Sequence, residues 1–379
     1  AFKILMLEPD KCYVAPGGQK AVFEGLDNKV KVNKSAFSSF KNYYRFDNAE
    51  DKMEFISSID RIIEDTERRY RGDFYTPLVW VDEAHRAMEE NFGDDWRDKY
   101  MVWDCSWGSG NITREYDFGE LYCSTLFKSD FRGTEHLNPG AVKFQYDFLN
   151  DDVEEFERIL DRKKNNEEII GTDFAGTKLY KEAPGIIEGL LNDKELVFII
   201  NPPFGRGGSS ETKGLANSKI STLMKDNNIR RCSEQLYAQF LYRIIKLQEI
   251  FNNIKGIGIF SMAKLLTAQS FKELRKILQE NYCNVSENFM FPADQFSGAS
   301  DEWGVLFSVW DSRNLQIKTE FPVQLMDIEE NEVTSVGTKN LYNLDYNTSC
   351  SDWIKEPVKG MSTEDAPQMK TGLDYYKKP

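Results

Sequence analysis

The sequence predicts an α/β protein built on a doubly wound, mostly parallel sheet, and two observations predict it. Between about Tyr70 and Asp311, short apolar runs alternate with longer amphipathic ones, the pattern of strands interleaved with covering helices. Two of those runs also deliver polar, turn-forming motifs at their carboxyl ends, where open α/β sheets hold their ligands.

The first 65 residues read as an N-terminal helical extension. Met53, Ile56, Ile59 and Ile62 recur at three-residue steps within Asp51 to Arg69, which predicts an amphipathic helix with a charged outer face. The main domain spans 66–311. Its strands are predicted at Met101 to Cys105, Leu121 to Leu126, Val142 to Tyr146, Leu196 to Ile200, Ile257 to Ser261 and Val305 to Trp310. Its helices are predicted at Asp82 to Asn91, Asp151 to Lys163, Ser233 to Ile250 and Ser270 to Asn281. In the third helix Leu236, Phe240, Leu241, Ile244, Ile245 and Leu247 gather on one side, as packing on a sheet requires. Gly205 to Lys219 is rich in Gly, Ser, Asn and Lys without apolar periodicity, and reads as a long loop. The stretch 312–379 is strand-like, polar and without a tidy final element. Together with a first residue that is Ala1, this suggests a fragment or a processed chain.

Composition narrows the function classes. Apolar residues make up 40% of the 379, enough for a large core. No apolar run approaches the roughly 20 residues of a membrane span, and no signal-peptide pattern opens the chain; a cytoplasmic protein without membrane attachment is expected. Six scattered cysteines with no CxxC pair, and only two histidines, argue for reduced thiols and against a metal site or a Ser-His-Asp triad.

Two strand ends carry the chemistry. "MVWD" runs into "CSWGSGNITR", so Asp104 closes an apolar strand and Gly108 and Gly110 follow, with a helix expected near Asn111. Glycines there let the backbone turn sharply and approach a nucleotide closely. Neither GxGxxG nor GxxxxGK[ST] is present, which disfavours NAD and ATP. The second end is "LVFIINPPFG": Asn201, Pro202, Pro203 and Phe204 follow the apolar strand. Two prolines cannot continue a strand ladder, so the chain leaves the sheet in a stiff turn. That turn presents the Asn201 side chain and the Pro202 carbonyl as paired acceptors beside an aromatic ring. The set suits a planar aromatic amine.

With these motifs the chain resembles the amino-methylating, adenine-specific DNA methyltransferases, over about Arg71 to Trp310 and with the cofactor motifs preceding the catalytic one. "GDFYTP", with Tyr75, Thr76 and Pro77, resembles the segment that contacts the methionine part of S-adenosylmethionine. "WDCSWGSGN", with Asp104, Cys105, Gly108 and Gly110, resembles the glycine-rich cofactor loop. "YDFLND" resembles the segment in which an acid, here Asp147, holds the cofactor's adenine amine while an aromatic, here Phe148, lies on its ring. "NPPF" resembles the catalytic tetrad, and Phe296 offers a second face for a flipped base. The family ends its second strand with an acid that holds the ribose. This chain has Ser124 or Thr125 there, with Asp130 a few residues on. The fold implied is a Rossmann-like methyltransferase sheet. The activity implied is methyl transfer to the exocyclic amine of adenine in DNA after base flipping, with no metal, in a restriction-modification setting that can include a restriction or specificity partner. Rival readings are an amine methyltransferase acting on guanine in RNA or glutamine in a protein, and a methyltransferase-like subunit without turnover.

One property runs against a DNA enzyme. Sixty-two acidic residues against 48 basic ones leave a net charge of −14, so any DNA surface must be local. Arg206, Lys213, Lys219, Arg230 and Arg231 cluster after the tetrad, and the stretch 312–379 stands where the family places the start of its target-recognition region. On this reading much of the sequence recognition lies beyond Pro379. The 379-residue chain is then expected to bind duplex DNA weakly and with a shallow salt dependence, because few phosphates are neutralised. Fluorescence anisotropy across several salt concentrations measures this, and tight, sequence-specific binding would refute it.

Overall fold

The computed structural model describes residues 12–14, 20–23, 30–31, 37, 76–131, 134, 136–205, 218–285, 288–296, 303–329 and 332–343. The helix expected at 51–69 lies outside them. Three short strands, Cys12–Val14, Lys20–Phe23 and Val30–Lys31, pair in a small antiparallel sheet.

The main sheet is the doubly wound, mostly parallel, Rossmann-like one. Its strands are β1 (Met101–Asp104), β2 (Glu120–Thr125), β3 (Val142–Gln145), β4 (Leu196–Ile200), β5 (Ile254–Met262), β6 (Asn288–Pro292), β7 (Gly304–Asp311), β8 (Glu320–Glu329) and β9 (Glu332–Tyr342), with a two-residue strand, Cys283–Asn284, beside β7. Their order is β9-β8-β6-β7-β5-β4-β1-β2-β3. β1 through β5 are mutually parallel, and β7 runs against both β5 and β6. The chain builds outward from β1 to β3, returns to β4 on the other side of β1, and builds outward again. The order therefore reverses between β1 and β4, the crevice where such sheets bind ligands.

Strand composition explains the centre of the sheet. All five residues of β4 and all four of β1 are buried, as near-continuous apolar strands covered on both faces must be. The helices of eight or more residues among the described residues are α1 (Leu78–Phe92), α2 (Val153–Lys164), α3 (Pro184–Leu191), α4 (Lys219–Asp226), α5 (Leu236–Phe251) and α6 (Lys272–Asn281). α5 is apolar nearly all round because it is itself covered, packing on β5, α2, α4 and α6. Pro184 opens α3 at its first turn, where its missing N–H costs nothing.

The six predicted strands and four predicted helices all form, within a few residues of the expected bounds. Three differences have physical causes. No helix starts near Asn111: residues 111–115 are turns. Asn138 Nδ2 donates to the Thr113 and Tyr116 carbonyls at 3.0 and 2.9 Å, bracing a segment in which Tyr116 N makes a three-residue turn to the Thr113 carbonyl at 3.1 Å. Of the loop expected at Gly205 to Lys219, 206–217 lie outside the described residues, and Lys219 belongs instead to α4, because Ser218 caps that helix by accepting from Ser221 N at 2.9 Å. β6 was not expected, since its "NFMFP" is short and ends in proline. It forms by pairing with β7 on one side and, in parallel, with β8 on the other. The polar stretch after Asp311 forms the β8–β9 hairpin of the same sheet. All these elements belong to one compact unit, Ala1–Tyr342.

α1 seats closely because β5 offers two glycines there. Gly256 and Gly258, two apart, show one face of the strand; a Cβ on either would run into Phe92 or Met88 of α1. At Gly258 it would lie 2.6 Å from Met88 Sδ and 2.9 Å from Phe307 Cζ. Gly258→Ala should therefore lower stability by about 1–3 kcal/mol through overpacking. Urea unfolding measures it; an unchanged midpoint would mean that α1 can shift without cost.

Candidate active site

β1 ends in Asp104, which is fully buried. Its Oδ1 accepts from Ser106 N at 3.0 Å and Ser106 Oγ at 3.3 Å. Its Oδ2 has no hydrogen-bond partner among the described residues. Burial raises this carboxyl to about 7, against the smaller opposing effect of the Ser106 bonds. Cys105 beside it is buried, and burial together with the Asp104 charge pushes its thiol far up.

The glycine-rich loop then turns on two left-handed residues, Gly108 at φ 52° and Gly110 at φ 81°. At Gly110 a Cβ would sit 2.7 Å from the Trp107 ring, so only glycine fits. Trp107 holds the loop to β2 through its N–H to the Ser124 carbonyl at 3.1 Å, and its indole donates to Thr113 Oγ1 at 3.0 Å. His85 of α1 fastens the far side, Nε2 lying 2.8 Å from the Ile112 carbonyl and Nδ1 facing Arg97 at 3.2 Å. Burial lowers this histidine to about 3, so it is a neutral structural link at physiological pH.

β4 ends in the NPPF turn, with Pro202 and Phe204 buried and Asn201 and Pro203 half-buried. Asn201 Nδ2 donates to Thr76 Oγ1 at 2.9 Å, across 125 residues. The Thr76 carbonyl accepts from Asn111 Nδ2 at 3.0 Å. Two hydrogen bonds thus join the Thr76 segment, the glycine loop and the tetrad at the crevice between β1 and β4. Pro77 starts α1, its carbonyl accepting from Trp80 N at 3.0 Å. Tyr75 lies outside the described residues.

The Phe204 ring lies among other rings: Trp303 at 5.4 Å, Phe296 at 6.1 Å and Tyr237 at 6.3 Å between centroids. Phe296 lies beside Phe204, and it is fully buried and packed between Phe204 and Phe291. Trp303 is the half-buried member. Sequence reasoning did not single it out, although it stands just before β7 in the hairpin motif that carries Phe296.

At the end of β3, Asp147 Oδ1 accepts from Leu149 N at 3.1 Å and Oδ2 from Asn150 Nδ2 at 2.8 Å. Asn150 Oδ1 accepts from Lys219 N at 2.9 Å, tying the Asp147 turn to α4. Phe148 departs from its expected role. Its ring is buried, stacked on Phe240 at 5.2 Å and edge-on to Trp103 at 5.4 Å. The aromatic positions around Trp103 draw it into the core, with one face against Phe240. Ser124 is likewise turned inward: its Oγ accepts from Trp103 Nε1 at 3.0 Å in a fully buried position. Thr125 Oγ1 instead donates to Asp130 Oδ2 at 2.5 Å, bringing that acid back to the end of β2.

Of the basic residues expected near the tetrad, Arg206 and Lys213 lie outside the described residues. Lys219 is paired with Glu154 at 2.6 Å, while Arg230 and Arg231 are exposed. Among the described residues no group of three or more His, Cys, Asp or Glu could hold a metal ion, and no helix is long and apolar enough to cross a membrane.

No protein-family model matches the chain, and no curated protein matches it. Its fold is similar to those of several solved structures at low identity. A cryo-EM structure of a DrdV–DNA complex has a TM-score of 0.48 and 13% identity, with 77% of this chain and 32% of that one covered. A nuclease-deletion mutant of the Type ISP restriction-modification enzyme LlaGI, in complex with a DNA substrate mimic, has a TM-score of 0.46 and 14% identity, covering 77% and 31%. The type I restriction-modification system methyltransferase subunit from Streptococcus thermophilus has a TM-score of 0.42 and 12% identity, covering 80% and 58%. The chain spans between 31% and 58% of the length of these three.

Asp104 makes stability depend on pH with a definite sign. Its folded value of about 7 lies above the ordinary 3.8, so between those values the folded chain binds the extra proton. Stability must fall as pH rises through that window. Asp104→Asn, which cannot ionise, should be more stable than the parent by roughly 2–4 kcal/mol at pH 8, with the gap closing toward pH 4. Urea unfolding at the two pH values tests this; a gap that does not change with pH would mean that Asp104 titrates normally.

Proposed function

We propose that this chain transfers a methyl group from S-adenosylmethionine to the exocyclic amine of adenine in DNA. The observation that carries the reading is the NPPF turn at the carboxyl end of β4, beside the glycine-rich loop of β1 and tied to it through Thr76. The catalytic set is Asn201, Pro202, Pro203 and Phe204.

The residues around the crevice fit the cofactor's chemistry. The ends of β1, β2 and β3 carry Asp104, Asp130 and Asp147, and the ligand is cationic at its sulfonium and its ammonium. Among the described residues no donor reaches the buried Asp104 Oδ2, an acceptor of the kind that a bound amine satisfies. Gly108 and Gly110 leave the backbone bare for close approach. Asp130 is assigned to the ribose and Asp147 to the adenine amine; Phe148 supports that site from beneath instead of stacking on it. When bound, S-adenosylmethionine supplies an electrophilic methyl group.

What the chain's own residues do follows from the target nitrogen. An adenine amine is a weak nucleophile because its lone pair is delocalised into the ring. Asn201 Oδ1 and the Pro202 carbonyl accept its two hydrogens, favouring a pyramidal nitrogen whose lone pair is localised. The prolines hold both acceptors stiffly, so little reorganisation accompanies the step. The target base must leave the duplex stack, which costs a few kcal/mol. Phe204 and Trp303 offset that cost by stacking, with Phe296 packed behind them. Exposed Arg230 and Arg231 are assigned to phosphates. A restriction-modification setting, with a partner for cleavage or site recognition, belongs to the same proposal.

The decisive experiment is transfer of labelled methyl groups to a panel of DNA, RNA and protein acceptors. Adenine in DNA should be labelled, and Asn201→Ala should lower kcat by at least about a hundred-fold with cofactor affinity nearly unchanged. Phe204→Tyr should retain activity. Labelling of guanine in RNA or of glutamine, or an Asn201→Ala variant at parental rates, would refute the assignment.

A further inference from the structure

We infer that Asn150 is a positioning residue that sets the Asp147 carboxylate for selective recognition of a 6-amino purine. This rests on the proposed assignment of Asp147 to the adenine amine of the cofactor. A carboxylate that rotates freely must be ordered when the ligand binds; holding it beforehand removes that cost from binding. Each Asp147 oxygen accepts one bond, Oδ1 from Leu149 N at 3.1 Å and Oδ2 from Asn150 Nδ2 at 2.8 Å. One bond would let the carboxylate turn about it, and the second fixes its plane. Together they use two of the about four acceptor positions of a carboxylate, and Asp147 is half-buried, within reach of a ligand.

The Asn150 amide can hold Asp147 because its own orientation is committed. Its Oδ1 accepts from Lys219 N at 2.9 Å, and a backbone N–H only donates. The donating end, Nδ2, therefore faces Asp147. Lys219 opens α4, where the first N–H groups have no partner within the helix. Asn150 takes that of Lys219, the Leu149 carbonyl takes that of Ile220 at 3.2 Å, and Ser218 Oγ takes that of Ser221 at 2.9 Å. The helix thus grips the Asp147 turn from 69 residues away. The backbone of the turn is held separately. Asp147 N donates to Asp151 Oδ2 at 2.8 Å, Asp151 N donates to the Asp147 carbonyl at 2.8 Å, and Lys178 Nζ holds Asp151 Oδ2 at 2.7 Å. Removing the Asn150 amide should free the carboxylate and leave the turn in place.

Calorimetry with two ligands tests this: S-adenosylhomocysteine, and its 6-deamino counterpart, in which hydrogen replaces the adenine amine. The parent should bind the first about ten- to a hundred-fold more tightly, the worth of a hydrogen bond to a charged group. Asn150→Ala should cut that preference by at least about five-fold, while its affinity for the deamino ligand stays within about two-fold of the parent's. Asn150→Leu, which keeps the shape without the polar atoms, should do the same and carries the comparison should the alanine variant fail to fold. An equal loss for both ligands would make Asn150 part of the scaffold alone and overturn the inference, as would an unchanged preference. A parent that binds neither ligand, or binds both alike, would refute the assignment of Asp147, and the inference with it.

Discussion

β1 and β4 are neighbours in the sheet and far apart in the chain, and nearly everything at the site follows from their pairing. Both are buried along their whole length, and their register is parallel from Met101 against Leu196 to Trp103 against Phe198. Parallel apolar strands must leave the sheet from the same end. That brings the glycine loop and the NPPF turn to one crevice although 97 residues separate Asp104 from Asn201. Neither motif could meet the other without the crossover through β2, β3, α2 and α3.

Around that crevice, side-chain hydrogen bonds do what helix termini do in many nucleotide sites. The loop after β1 has no helix behind it. Its shape is held by Trp107 against β2, by Asn138 on two of its carbonyls, and by neutral His85 on a third. Such a loop is rigid without a helix dipole, which suits a cationic ligand better than a phosphate. The buried, unpartnered oxygen of Asp104 fits the same logic.

Charge is distributed to match. Acidic groups, Asp104, Asp130 and Asp147, stand at or just beyond the ends of β1, β2 and β3. The exposed arginines lie on the segment between α4 and α5, on the far side of the tetrad in sequence. A net charge of −14 does not describe either region; the local arrangement decides what each attracts.

The amino-acid sequence by itself determined the alternation of strands and helices, the apolar cores of β1 and β4, the tight turns at Gly108 and Gly110, and the turn that Asn201 and its prolines make at the end of β4. These are local properties: burial pattern, backbone freedom and side-chain donors can be read over a few neighbouring residues. Tertiary structure decided the rest, because the deciding partners are distant in the chain. Phe148 became a core ring because Trp103, Phe198 and Phe240 surround it. Ser124 turned inward because the Trp103 indole needed an acceptor. The segment after Gly110 is a run of turns braced by Asn138 from 22 to 25 positions away. Trp303 gained its place beside Phe204 only when β7 paired with β5 and β6, and Thr76 met Asn201 only when α1 was seated on β5 and β7. Contacts between residues 21 to 125 positions apart leave no periodicity in a sequence; the packing of the sheet creates them.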